Sequence, residues 1–383
     1  MRLLIAGGGT GGHIYPALAV ADSLRHRPNP PDLVWIGGHR GLEYRIVRTA
    51  GIPLRRLALR SLRTVDRDVH LVADPARLAL SVPQALALLA RDRPAAIFTT
   101  GGYVAIPVLI GASILRIPVL LWEGNVTPGR SVRATAGLAS AIAVSFAATC
   151  AALATRRPCL ETGTPIRETR GVDRLAAREG LGIPPGGRVL LVFGGSQAVR
   201  RFNAAMAEVL PRLVERIHVI HVTGDEGYGP ALAAREQLPA EARARYRPEP
   251  FLRDGMLEAL AAADLVLGRA GSSTLAEVTA LGLPMIVVPY PHAGGHQRAN
   301  ALRLVEAGAA RLIPDEVFDG AALLDAARIL DDPAAHAAMS AAARGLGRPA
   351  AADAVATILL ALAERRPIPD AATVERIARG AGA

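Results

Sequence analysis

The chain has 383 residues, enough for two domains that each bury a core. Half the residues are hydrophobic and a fifth are charged, a globular and slightly apolar balance. The excess positive charge lies in one half: residues 1–160 hold 19 Arg against 8 acidic residues, and residues 161–383 hold 25 against 26. A basic half suits nucleic acid, an anionic membrane or a phosphorylated substrate. Nucleic acid is the weakest of these, because stacking aromatics are few and no nucleic-acid-binding motif occurs. All 44 cations are Arg, which reads as composition bias. Cys150 and Cys159 form no CxxC or Cys/His cluster, so neither a zinc site nor a disulfide framework is expected, and a reducing compartment fits. The apolar runs break before the roughly 18 residues that a membrane-crossing helix requires.

Met1 to Ala6 runs straight into glycines, too short for a signal-peptide core and apt for a first strand. Further strands are expected at 33–37, 95–99, 118–122 and 141–145, then at 188–193, 217–222, 264–267, 285–289 and 310–313, with helices between. Such alternation predicts parallel sheets with crossover helices, and the cycle runs twice. A junction is expected near 160–185, where Glu161-Thr162-Gly163-Thr164-Pro165 resembles a connector. The Ala- and Leu-rich stretch 350–365 reads as a helix.

Four strand ends lead into loops suited to anions. The first is Gly7-Gly8-Gly9-Thr10-Gly11-Gly12-His13, with a helix expected from about Pro16. Glycines permit tight turns and close approach to a ligand, and the following helix start offers N–H groups and a positive dipole end. No Gly-Lys-Ser/Thr follows, so this is not a P-loop, and no acidic residue suits a dinucleotide fingerprint. The second loop is Thr99-Thr100-Gly101-Gly102-Tyr103 and the third is Phe193-Gly194-Gly195-Ser196-Gln197. The fourth runs from Gly268 to Glu277, where Ser272, Ser273 and Thr274 can cap a helix and bind phosphate. Glu277 either accepts ribose hydroxyls or closes a capping box with Thr274, and chemistry alone leaves the two readings even. Beyond the next strand, Gln297 and Asn300 suit sugar hydroxyls.

These segments together resemble the MurG family of bacterial peptidoglycan transferases. The resemblance rests on GGGTGGHIYPALAVA at the start, then GGSQ, GRAGSSTLAEVTALGLP and VPYPHAGGHQRANA in order, and covers residues 1 to about 310. Trp122-Glu123-Gly124-Asn125 stands where the family usually has His-Glu-Gln-Asn, and His296 where some members have Gln. The resemblance implies an α/β GT-B fold, two Rossmann-like domains with parallel sheets facing a cleft. It implies an N-terminal acceptor- and membrane-facing domain over 1–163, joined by a C-terminal helix within about 350–383. The UDP-sugar domain would span 164–349. It further implies inverting transfer of N-acetylglucosamine from UDP-N-acetylglucosamine to the 4-hydroxyl of undecaprenyl-diphosphate-linked muramyl pentapeptide, with no metal or other cofactor.

Carried over motif by motif, Thr10, Gly11 and Gly12 lie by the donor sugar and diphosphate, and Asn125 contacts the donor sugar. Arg167 and Ser196 serve the diphosphate. Leu252 holds the uracil edge through its backbone. Ser272, Ser273, Thr274 and Leu275 line the donor, Glu277 takes the ribose hydroxyls, and Gln297 binds the transferred sugar. His13 is the expected general base, because imidazole titrates near neutrality, and Glu123 is the runner-up. Asp66-Arg67-Asp68 matches a metal-binding pattern of other transferases but has no strand before it, so it reads as chance.

A membrane-bound substrate places such an enzyme at the cytoplasmic face of the cell membrane, beside an anionic surface and cell-wall synthesis proteins. Leu78, Val82, Leu86 and Leu89 recur at helical spacing beside nine Arg between 40 and 77. That stripe suits a bilayer, or, as the more common fate of leucines, a core. The competing enzyme readings are a GT-B transferase with another lipid acceptor and a UDP-sugar epimerase.

Overall fold

The structure is a computed structural model that describes residues 1–38, 43–59, 70–194, 200–252, 255–291 and 295–381, with residues 70–76 described by their backbone only. It divides into two compact units, Met1–Glu168 with Arg348–Ala383, and Thr169–Gly347. The chain thus crosses a few residues from the expected junctions at 163 and 349.

In the first unit the strands are β1 (Arg2–Ala6), β2 (Asp32–Gly37), β3 (Leu54–Arg56), β4 (Ala96–Thr99), β5 (Val119–Glu123), β6 (Ala141–Val144) and β7 (Cys159–Glu161). They form one sheet in the order β3-β2-β1-β4-β5-β6-β7, parallel throughout. In the second unit β8 (Arg188–Phe193), β9 (Ile217–Val222), β10 (Tyr246–Glu249), β11 (Leu265–Gly268), β12 (Met285–Val287) and β13 (Ala310–Leu312) pair in the order β10-β9-β8-β11-β12-β13, again all parallel. Each unit is therefore Rossmann-like, the pair of building blocks of a GT-B protein.

Parallel strands covered on both faces carry continuous apolar runs, and their side chains alternate between two cores. Leu3, Ile5, Trp35, Phe98, Leu120 and Trp122 point to one side, and Leu4, Ala6, Ile36, Ile97, Leu121 and Ile142 to the other. Helices α1 (Gly11–Arg25) and Ala351–Ala363 cover the first side. There Ser23 donates to Asp353 at 2.6 Å, and Arg27 reaches the carbonyl of Asp353. The C-terminal helices thus complete the first unit.

Three strands fall outside the expected set: β3, β7 and β10. Each lies at a sheet edge, and their sequences, Leu-Arg-Arg, Cys-Leu-Glu and Tyr-Arg-Pro-Glu, lack the apolar run that marks a central strand. Helix α1 begins at Gly11, with Thr10 as N-cap, and Pro16 lies inside it rather than at its start. Helix α2 (Glu43–Thr49) precedes β3. Helix α3 (His70–Asp92) runs unbroken through Pro83, which lies on an exposed face. It packs on α4 (Ala105–Leu115). Leu89 is buried there and Leu78 packs against the same core, while Val82 and Leu86 are half-buried.

The reading of the cysteines, which expected no disulfide framework and fitted a reducing compartment, is corrected by a single bridge. Cys150 and Cys159 form a disulfide with Cα atoms 5.8 Å apart, joining the helix Ala148–Leu153 to β7. Sequence spacing carries no sign of it, because the pair is brought together by the turn from that helix to the edge strand. Among the described residues one apolar stretch, Pro333–Ala363, is long enough to cross a membrane by length and composition. It consists of the helices Pro333–Leu346 and Ala351–Ala363, and the second buries eight residues within the first unit, so that helix is a core element.

Candidate functional site

Ligands of open parallel sheets bind beyond the carboxyl ends of the strands, where the strand order reverses. In the first unit that reversal lies between β1 and β4, with Ala6 opposite Thr99. The loops emerging there are Gly7–Thr10 and Thr100–Val104. In the second unit the reversal lies between β8 and β11, with Phe193 opposite Gly268. Both switch points coincide with the glycine loops.

At the first switch point His13 occupies the opening turn of α1. Its Nδ1 stands 2.7 Å from the carbonyl oxygen of Thr100, and Thr100 Oγ1 donates back to the His13 carbonyl at 3.0 Å. A carbonyl accepts only, so Nδ1 carries the proton, and in the neutral ring the lone pair sits on Nε2. The neighbouring Thr99 hydroxyl donates to Ala6 O and accepts from Gly101 N–H, which ties the two loops together. Trp35 Nε1 donates to Gly7 O at 2.8 Å from below. Gly101 and Gly102 both lie in the left-handed region, with φ of 79° and 78°. This lets the second loop fold back toward His13.

Two buried side chains lie under this loop: Glu43, which sequence reading passed over, and Tyr103, which it named only as the end of the second loop. Glu43, from α2, is fully buried. Its carboxylate accepts from Gly9 N–H at 3.2 Å, Gly38 N–H at 3.0 Å and the Tyr103 hydroxyl at 3.2 Å. Burial, with the Glu43 carboxylate beside it, pushes the Tyr103 phenol well above its ordinary pKa. The glycines make room for these groups: a Cβ on Gly8 would stand 2.7 Å from Glu43 Oε1, and one on Gly38 would stand 2.3 Å from the Tyr103 hydroxyl. A lone Glu after a loop has no distinguishing pattern, so only the fold reveals its position.

Glu123 ends β5 and is nearly buried. Its Oε1 accepts from both the backbone and the side-chain N–H of Asn125 at 2.9 Å, and its Oε2 accepts from Gly129 N–H at 2.9 Å. Thr149 holds the Asn125 carbonyl at 2.9 Å. These bonds make Glu123 the organiser of the 124–129 loop and the anchor of Asn125, a task at odds with proton abstraction. Trp122, one residue earlier on the strand, points to the opposite face, is buried, and donates to Gly163 O. Its substitution for the family's usual His therefore alters the core. Arg167 lies exposed near the end of the first segment of unit 1.

In the second unit the helix Ser272–Ala280 starts at the switch point with Gly271 as N-cap and no side-chain cap. Its first N–H groups and dipole are thus available to an anion. The buried Ser273 hydroxyl finds no hydrogen-bond partner among the described residues. Leu275 is buried in the core beneath. Glu277 sits at the sixth helical position, one and a half turns in, whereas a capping box requires the third. The capping reading of Glu277 therefore falls, and Thr274 occupies the third position instead.

Gln297, on the helix His296–Glu306, accepts through Oε1 from Ala270 N–H at 3.1 Å and from Tyr290 N–H at 2.9 Å. It clamps the loops after β11 and β12 and keeps its amide NH2 for donation. Asn300 is fully buried and donates to Ala270 O at 3.2 Å, so it supports the loop and does not reach a sugar. Arg269, to which the sequence assigned no role, is buried, pairs with Asp315 and donates to Val288 O. Its guanidinium stacks 4.6 Å from the centre of the Phe202 ring. Leu252 is half-buried beside a groove of about 220 Å³ lined also by Ile220, Arg247, Gly255 and Glu258. Ser196 and the Asp66-Arg67-Asp68 triplet lie outside the described residues. Among the described residues no cluster of three His, Cys, Asp or Glu could hold a metal ion.

Residues 3–144 match the model of the glycosyltransferase family 28 N-terminal domain, and residues 189–356 match that of the family 28 C-terminal domain. The chain belongs to glycosyltransferase family 28. A curated family member from Desulforudis audaxviator is 41% identical over 371 residues, covering 95% of this chain and 99% of its own. It is described as UDP-N-acetylglucosamine–N-acetylmuramyl-(pentapeptide) pyrophosphoryl-undecaprenol N-acetylglucosamine transferase. The crystal structure of Acinetobacter baumannii MurG superposes with a TM-score of 0.75 at 27% identity, over 94% of this chain and 99% of that one. A Listeria monocytogenes protein titled a putative UDP-N-acetylglucosamine 2-epimerase superposes with a TM-score of 0.70 at 14% identity, over 96% and 98% of the two chains. That second likeness shows the fold alone, and it explains why architecture does not separate a family 28 transferase from an epimerase. As a family 28 member the chain is a glycosyltransferase.

Proposed function

We propose that this enzyme transfers N-acetylglucosamine from UDP-N-acetylglucosamine to the 4-hydroxyl of undecaprenyl-diphosphate-linked N-acetylmuramyl pentapeptide, with inversion, completing the lipid-linked disaccharide precursor of peptidoglycan. The observation that carries the reading is His13, held at a strand-order reversal in the tautomer whose Nε2 can accept a proton. His13 Nε2 takes the acceptor's hydroxyl proton as that oxygen bonds to the anomeric carbon. The bond from that carbon to the UDP oxygen breaks on the opposite face.

The departing diphosphate gathers negative charge. The uncapped helix start at Ser272, Ser273 and Thr274 and the Ser273 hydroxyl stabilise it. Leu252 meets the uracil through its backbone. Glu277 takes the ribose hydroxyls, and Leu275 packs the base of that turn. Gln297 donates its NH2 to the transferred sugar, and in the first unit Glu123 anchors Asn125. Thr10, Gly11 and Gly12 supply N–H groups at the start of α1. In this reading the first unit takes the acceptor and the second the donor.

The enzyme works as a peripheral protein on the cytoplasmic face of the cell membrane, among other cell-wall synthesis proteins. The Arg-rich first unit favours an anionic surface, and Leu80 on α3 with Ile114 and Leu115 on α4 are exposed apolar side chains that suit it.

The test incubates purified protein with UDP-N-acetylglucosamine and a short-chain lipid-linked muramyl pentapeptide and looks for UDP and the disaccharide. Appearance of both in equal amounts is expected. Donor binding without disaccharide would overturn this acceptor and leave another lipid in its place.

A further inference from the structure

The geometry points to Glu43 as a positioning residue for the glycine loop, acting with Tyr103 to set the approach of His13; this rests on the reading of His13 as the base. The carboxylate gathers three donors from three different strand-to-helix loops. Gly9 belongs to the loop after β1, Gly38 to the loop after β2, and Tyr103 to the loop after β4. Any one bond would be an ordinary loop contact. Three converging on one fully buried carboxylate fix the mutual placement of the loops that carry His13 and Thr100.

The bond to Gly9 sets the loop's conformation. Gly9 holds φ at 96°, and its N–H turns inward to Glu43. That turn delivers the chain to Thr10 as N-cap, and α1 starts at Gly11, so His13 falls on the helix's first turn. The Tyr103 ring lies against the same residue, 3.2 Å from where a Gly9 Cβ would stand. The Gly9 N–H is thereby withheld from any bound phosphate. The loop's first half is a device for placing the histidine, and the anion-facing N–H groups are those of Thr10 and beyond. The cost of the arrangement is a carboxylate sealed from water, with three neutral donors and no ion pair among the described residues.

Glu43→Gln conserves shape and replaces one acceptor oxygen with an NH2. Whichever way the amide turns, at least one backbone N–H then faces another N–H. Tyr103→Phe removes one hydroxyl and nothing else. Steady-state kinetics with UDP-N-acetylglucosamine and the short-chain lipid-linked acceptor, and the ring ¹⁵N resonances of His13 in labelled protein, are compared with those of the unaltered enzyme. We expect kcat of Glu43→Gln to fall by roughly 10- to 100-fold, the scale of a small misplacement of a reacting group. KM for UDP-N-acetylglucosamine stays within about twofold, and the His13 resonances move. Tyr103→Phe should show the same pattern more weakly, with kcat down by roughly threefold to tenfold, the loss of one neutral hydrogen bond.

Unchanged kcat, or a fall in kcat with unmoved His13 resonances, overturns the proposal. So does a donor KM that rises in step with the loss. If Glu43→Gln does not fold, Tyr103→Phe decides: unchanged kcat and unmoved His13 resonances overturn the proposal as fully. Absence of disaccharide from the unaltered enzyme sinks only the acceptor reading, because the His13 resonances still report on Glu43.

Discussion

Gln297 offers a test that separates scaffold from substrate contact within one side chain. Its oxygen accepts from Ala270 N–H and Tyr290 N–H, and its nitrogen is left for the donor sugar. Gln297→Leu removes both functions. Two part-buried N–H groups then lose their acceptor, at about 1–3 kcal/mol each, so the second unit should lose roughly 2–6 kcal/mol. Gln297→Glu keeps an acceptor oxygen for both N–H groups and removes only the NH2. Its stability should stay within about 1 kcal/mol of the parent. Losing one hydrogen bond to a neutral sugar hydroxyl costs about 1 kcal/mol, and the added charge near a diphosphate costs more, so donor KM should rise by roughly tenfold or more. Thermal melting and donor KM are measured on the same preparations. Equal destabilisation by the two variants would refute the clamp, and an unchanged donor KM in Gln297→Glu would refute the sugar contact.

Three further outcomes are expected. His13→Ala should reduce transfer by roughly 10²- to 10⁴-fold with UDP-N-acetylglucosamine affinity within about twofold, and retained turnover would remove His13 as the base. Gly101→Ala sets a side chain at φ 79° with its Cβ 2.7 Å from Val132 Cγ2, so it should cost about 1–3 kcal/mol in the melting of the first unit. Adding Val132→Ala should recover the contact part only; full recovery would show that the backbone angle costs nothing. His221 is buried on β9 with Nδ1 on the Tyr246 hydroxyl, and burial lowers its pKa from 6.5 to about 4. The unfolded chain therefore binds a proton that the folded one refuses between those values, and stability is lost as pH falls. About 2 kcal/mol should disappear between pH 7 and 5, read as a drop in denaturation midpoint. His221→Phe should flatten that slope, and an unchanged slope would assign it to other groups.

Much of the architecture was legible in the sequence because central parallel strands are apolar on both faces and are punctuated by glycine. β1, β4, β8 and β11 stand out for that reason, and so do the loops that follow them. Edge strands such as β3 and β10 meet water, need no apolar run, and therefore escaped notice. His13 could be named from its place after a run of glycines. Its tautomer could not, because the acceptor that fixes it, the carbonyl of Thr100, comes from 87 residues away. Glu123 suited a base by residue type, yet its three hydrogen bonds assign it to the loop. Glu277 stood level between capping and binding until the helix start at Ser272 excluded capping. The buried Glu43–Tyr103 pair and the Cys150–Cys159 bridge had no sequence sign at all. Local composition thus determined which segments become strands and which loops suit phosphate. Which side chains share a hydrogen bond, and so which of them move protons and which only hold a loop, was decided by long-range contacts that exist only once the sheets have formed.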